Sequence, residues 1–142
     1  MLNRLIDRSV PKRKVTPSGT LKTIMMTNGL YKTTLKTRLK TLEEAEGVSY
    51  GVMVLHNGRM FGGGPFFYTV GSYTCFGSGQ WKGEMIGQEH TPALATRLWA
   101  RKVVSLAFTG TYGELTLETQ GFVLVGKRSI PFKMDYRLLQ AD

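Results

Sequence analysis

Cysteine occurs once, at Cys75, and histidine twice, at His56 and His90, in a chain of 142 residues. A single cysteine excludes an intrachain disulfide and suits a reducing compartment. A zinc ion needs three or four ligands, so these residues make a metal site only if the fold gathers all three. Aspartate is equally scarce, at Asp7, Asp135 and Asp142, and no serine stands in a nucleophile-elbow pattern, so Ser-His-Asp catalysis has no basis here. Glu84 and Glu89 could pair as carboxylates, but one sits in a strand pattern and the other in a loop, where both read as solvated. No apolar run approaches the ~18 residues of a transmembrane helix. The first residues also lack the apolar segment of a secretory signal. No enzyme, metal, cofactor or membrane span is therefore expected, and a cytoplasmic location is.

Acidic residues are missing from one region in particular. Residues 1–25 carry Arg4, Arg8, Lys12, Arg13, Lys14 and Lys22 against Asp7 alone, and residues 26–40 add Lys32, Lys36, Arg38 and Lys40 with no acid. From Thr41 onward basic and acidic side chains balance, so the whole formal charge of +9 lies in the first forty residues. Residues 1–25 also hold Pro11, Pro17 and Gly19 without a sustained period. They read as a mobile basic arm or, with Met25-Met26 directly before the first clean strand, as a start-site extension. Residues 26–142 form the domain.

The domain has abundant β pattern. Tyr31, Thr33, Leu35, Thr37 and Leu39 alternate with Lys32, Thr34, Lys36, Arg38 and Lys40, which predicts one buried face and one lysine-rich solvent face. After an acidic connection at Thr41–Glu46, Val48, Tyr50, Val52, Val54 and His56 share one face, and Ser49, Gly51, Met53 and Leu55 the other. Asn57-Gly58 then predicts a two-residue type I′ hairpin turn, which needs positive φ at both positions. Gly62-Gly63-Gly64-Pro65 reads as a bulge or corner rather than a phosphate loop, because no helix and no Gly-Lys-Ser/Thr pattern follows. Strands follow at Phe67–Thr74, after a Gly77-Ser78-Gly79 turn at Trp81–Ile86, and at Val103–Tyr112, Leu115–Val125 and Ile130–Leu138. The loop Gln88–Arg101 is the longest connection; it holds a possible helical turn after Thr91-Pro92 and an exposed-looking Trp99.

The fold class is therefore all-β: about eight antiparallel strands in up-and-down order, closing into a lipocalin-like barrel, with a flexible N-terminal arm. Phe61, Phe66, Phe67, Tyr68, Tyr73, Phe76 and Trp81 read as core or barrel lining. No Lys or Arg lies between Met60 and Trp81, which argues against a nucleic-acid platform on these aromatics.

Three segments carry a family resemblance: NGLYKTTLKT at Asn28–Thr37, VMVLHNGRMFGGG at Val52–Gly64 and YTVGSYT at Tyr68–Thr74. In this order they resemble the GrlR-like family of small type III secretion regulators, over roughly Thr27–Arg137. Gly-Gly-Gly stands here where some members have Gly-Gly-Asp. The resemblance implies an eight-stranded lipocalin-like barrel that dimerises. It also implies negative regulation of a secretion operon, by binding a helix-turn-helix transcription activator and keeping it from DNA. In the family the hairpin after the Y-x-G strand contacts the partner through an acidic run; the matching turn Cys75–Gln80 has no carboxylate.

The leading expectation is a non-enzymatic, homodimeric regulator working by protein contact. By family position Phe76, Gly77, Ser78, Gly79 and Gln80 would meet the partner, joined by Trp99 on the ground of exposure. A second expectation is a carrier of a small apolar ligand, with Tyr50, Val52, Phe67 and Trp81 pointing inward. A third is nucleic-acid binding through the basic N-terminal segment, the barrel itself being a poor candidate.

Overall fold

Each strand of the domain has one face that needs cover, and the chain supplies it by curling the sheet onto itself. A computed structural model describes residues 12–15, 21–37, 47–91 and 103–142. Within the expected arm, β1 (Lys12–Val15) and β2 (Leu21–Ile24) pair with each other as a separate two-stranded antiparallel sheet. The chain then enters β3 (Gly29–Thr37), β4 (Gly47–His56), β5 (Arg59–Gly63), β6 (Phe67–Cys75) and β7 (Gln80–Glu89). It closes with β8 (Val103–Tyr112), β9 (Thr116–Val125) and β10 (Arg128–Ala141). Strands β3 to β10 form a closed antiparallel barrel in up-and-down order, with β10 returning to pair with β3. Trp99, the helical turn after Thr91-Pro92 and the acidic connection 41–46 lie outside the described residues.

Local chemistry explains the turns. Asn57 and Gly58 take φ of 49° and 87°, the positive pair that joins β4 to β5 with His56 opposite Arg59. Gly62 meets a different demand. A Cβ there would lie 2.1 Å from the carbonyl oxygen of Val52, so only glycine lets the two backbones close at this corner. The ladder runs through Gly62 and Gly63 without a register shift and Gly64 lies beyond its end, so the feature is a corner at the end of β5. The one irregularity among the barrel pairings falls in β10, between Leu138 and Gln140.

The core fills one half of the barrel. Trp81 makes edge-to-face contacts with Phe108, Tyr136 and Tyr73 at centroid distances of 4.7, 5.4 and 5.5 Å. Its Nε1–H donates to the carbonyl of Glu118 at 3.3 Å. Tyr31 packs edge-on to Tyr136 and donates its hydroxyl to the carbonyl of Thr27. Burial, and after it the neighbouring Tyr73 and Cys75, raises the Tyr31 pKa above the usual tyrosine value. Burial alone does the same for Tyr136. Met53, Leu55, Met60, Met85 and Leu117 complete this packing, and Met25 and Met26 are buried as well.

The Tyr136 hydroxyl is buried without a hydrogen-bond partner among the described residues. Such a group loses its hydration and gains nothing in return. Tyr136→Phe is therefore expected to leave stability unchanged or to raise it by up to ~1 kcal/mol, read from the urea midpoint. A loss above ~1 kcal/mol would show that the hydroxyl is satisfied in solution.

Two expectations about side-chain direction are corrected. Tyr50 and Val52 point outward, 61% and 43% exposed, because Met53 and Leu55 occupy the inward positions of β4. The aromatic group divides as well. Tyr73 and Trp81 join the core and Phe66 and Phe67 are half-buried, whereas Phe61, Tyr68 and Phe76 are exposed.

Candidate functional site

Three features of the barrel present themselves to other molecules: a turn, an outer face and an interior cavity.

The turn joins β6 to β7 at the filled end. Phe76 N–H donates to Gln80 O at 2.8 Å, and Gly79 N–H to Phe76 O at 3.1 Å. From β8, Tyr112 donates its hydroxyl to Phe76 O at 2.8 Å and its N–H to Gly79 O at 2.9 Å. Gly79 sits at φ 86°, as this reversal requires. The Lys82 ammonium lies 5.7 Å from the centre of the Phe76 ring. The segment Phe76, Gly77, Ser78, Gly79, Gln80 is thus held by backbone bonds from two sides, with Phe76, Ser78 and Gln80 exposed. Little ordering cost remains for a partner to meet.

The outer face emerges from the register. Val54 pairs with Phe61, Phe61 with Val70, Val70 with Ile86, Ile86 with Ser105 and Ser105 with Leu124. This is one uncharged row across six strands, in which Phe61, Val70, Ile86 and Leu124 are each 47–51% exposed. On one side it is bordered by Val52, Tyr68, Gln88 and Val103, and on the other by His56, Arg59, Ser72, Glu84, Ala107 and Phe122. The β3–β10 side is the opposite in character. There Lys32 faces Arg137 and Lys36 faces Lys133 across the strands, with Asp135 and Thr34 paired between them. Lys32 also lies 5.6 Å from the centre of the Tyr50 ring. A contiguous apolar row of this length marks a contact surface, whereas scattered exposed apolar residues do not.

The cavity opens at the end of the barrel away from the Phe76–Gln80 turn and has a volume of about 320 Å³. The Gly63–Phe67 corner contributes to its wall, so Phe67 stands at the cavity while Trp81 belongs to the filled half. Tyr50 and Val52 border it from β4 although their side chains face out. His90 secures the corner. Its Nε2 lies 2.9 Å from the carbonyl of Gly64 and its Nδ1 2.8 Å from the Thr91 hydroxyl. A carbonyl can only accept, so Nε2 carries the proton and, in the neutral ring, Nδ1 accepts from Thr91.

The remaining candidates do not converge. His56, beside the β4–β5 turn, contacts Asp142 Oδ2 at 2.7 Å and Asn57 Nδ2 at 3.1 Å. Asn57 is in turn bound by Asn28, which ties β3 to this turn. His90 is at the other end of the barrel, and Cys75 is buried. Among the described residues no three His, Cys, Asp or Glu side chains come together as a metal site. Among them, no helix is long and apolar enough to cross a membrane. Trp99 lies outside the described residues and cannot be placed beside the turn.

The outer row was missed by reading the aromatics as lining, though a signal for it was present. His56 and Arg59 flank the hairpin turn and are polar, so both face water, and period two then sends Val54, Val52 and Tyr50 outward with them. No protein-family model matches the chain, and no curated protein sequence is significantly similar to it.

Proposed function

We propose that this chain is a non-enzymatic, cytoplasmic regulator acting through protein contact as a homodimer. The observation that carries this reading is the uncharged outer row from Val54 to Leu124, which crosses six of the eight strands of the closed barrel. A second copy of the chain is the natural cover for the middle of that row, around Val70 and Ile86, which lies away from the charged β3–β10 strands. The pre-organised Phe76–Gln80 turn stands at one end of the barrel and is left for a different partner. The nature of that partner, a helix-turn-helix transcription activator in a type III secretion circuit, rests on the resemblance carried by Asn28–Thr74.

Light scattering on the purified chain is expected to give the mass of a dimer. Val70→Lys combined with Ile86→Lys should then yield a folded monomer, since burying an unpaired charge in the row is costly. Affinity capture from the native host is expected to recover a helix-turn-helix DNA-binding protein or a secretion component, and to recover less of it with Phe76→Ala. A monomeric wild type, or capture of neither class of protein, would overturn the proposal.

A further inference from the structure

The outer row and the turn leave the interior cavity without a role. Its wall is built from Leu35, Met53, Val104, Leu106, Val123 and Met134, together with the glycine-rich corner. Among the described residues, the inward-facing polar side chains are the hydroxyls of Thr33, Ser49 and Thr69, and no charged residue lines the space. Thr69 Oγ1 lies 3.5 Å from the Met53 sulfur, a weak contact that a better acceptor would displace.

The cavity follows from the sequence of the inward faces. In the filled half, inward positions hold Trp81, Tyr31, Tyr136 and Phe108. In the other half the matching positions on β4 and β7 hold Ser49, Gly51 and Gly87. At Gly51 a Cβ would lie 2.5 Å from the Gly63 carbonyl oxygen, so no larger residue fits there. At Gly87 the nearest atoms to a Cβ are the Val104 and Thr69 methyl carbons, at 3.3 and 3.4 Å, which must yield slightly to admit a side chain. The space is therefore made by small residues on facing strands. A protein interior normally closes such gaps, because atoms facing a void lose their dispersion contacts.

Size and chemistry narrow the occupant. A dry cavity of ~150 Å³ admits one benzene ring. The 320 Å³ here is about twice that and lies at the lower end of small-molecule sites. An ionised carboxylate or ammonium would leave its hydration shell without a counter-charge, whereas a hydroxyl or amine could use one of the three wall hydroxyls. We propose that the barrel interior binds a neutral, mostly apolar molecule of about two fused rings, or a chain of about ten carbons, with one hydrogen-bonding group.

The test uses 1-naphthylamine as a fluorescent probe with the full chain. Saturable enhancement at one site per barrel is expected, with decan-1-ol displacing the probe at concentrations at least tenfold lower than decanoate. Gly87→Leu, which projects a side chain into the space past the Val104 and Thr69 methyl groups, should weaken probe binding at least tenfold in a protein that remains folded. Val104→Phe serves the same purpose if that variant does not fold. Phe61→Lys, on the outer row, should bind the probe normally, so failure of the dimer leaves this result readable. Absence of saturable binding, equal displacement by decanoate, or unchanged binding in a folded cavity-filling variant would overturn the proposal. So would loss of binding in folded Phe61→Lys, which would place the probe on the outer face.

Discussion

Trp81→Ala is expected to remove ~4 kcal/mol of stability, the largest loss of any single truncation in this barrel. The side chain is 1% exposed and serves four other strands at once. Its ring meets Tyr73 on β6, Phe108 on β8 and Tyr136 on β10, and its Nε1–H reaches Glu118 on β9. Truncation leaves a hole ringed by aromatic edges, and a closed sheet cannot collapse to fill it without breaking register. Urea denaturation followed by far-ultraviolet circular dichroism measures the loss. Trp81→Phe, which keeps two of the ring contacts in some form but not the hydrogen bond, should lose roughly half as much. A Trp81→Ala loss below ~1.5 kcal/mol would mean that the ring is not the plug of the filled half.

Gly62→Val should be nearly as damaging, at ~3 kcal/mol or more, although it adds atoms instead of deleting them. The added Cβ would sit 2.1 Å from Val52 O and 2.7 Å from Met53 Cα, both of them backbone atoms that cannot rotate away. The β4–β5 pairing must open to admit it. A fall of ~10 °C in the melting temperature is the expected reading, at ~3 °C per kcal/mol for a chain of this size. Gly87→Ala is the control. The atoms nearest its Cβ are the Val104 and Thr69 methyl carbons at 3.3 and 3.4 Å, which can yield where backbone cannot, so the fall should be well below that of Gly62→Val. Equal losses at the two sites would show that the corner has no special steric requirement.

The contrast between strands explains how much was legible beforehand. β3 and β7 set polar or charged residues against apolar ones, so their faces followed from period two, and the Asn57-Gly58 turn followed from its residue types. β4 offers no such contrast, with Val48, Tyr50, Val52 and Val54 on one side and Met53 and Leu55 on the other. Bulk favoured the wrong side there, and the pairing of Tyr31 with Met53 decides it. The cavity was out of reach for another reason. Ser49, Gly51 and Gly87 become neighbours of one space only after strand stagger brings β4 and β7 to a common level. The exposed turn was placed by family position, and the Tyr112 hydroxyl that holds Phe76 comes from a strand 36 residues away.

The seam between β3 and β10 has a consequence for how the barrel is made. Gly29 pairs with Ala141 and Thr37 with Phe132, so this ladder joins the most distant parts of the domain, whereas the β4–β5, β6–β7 and β8–β9 hairpins close locally. Loop-closure entropy therefore makes the seam the costliest ladder to form. Until it forms, β3 and β10 are two open edges, and open edges recruit strands from other chains. Lys32 and Lys36 on one edge, and Lys133 and Arg137 on the other, give both the same sign. In the finished barrel these like charges face each other at some cost; in the unfinished one they hold separate chains apart.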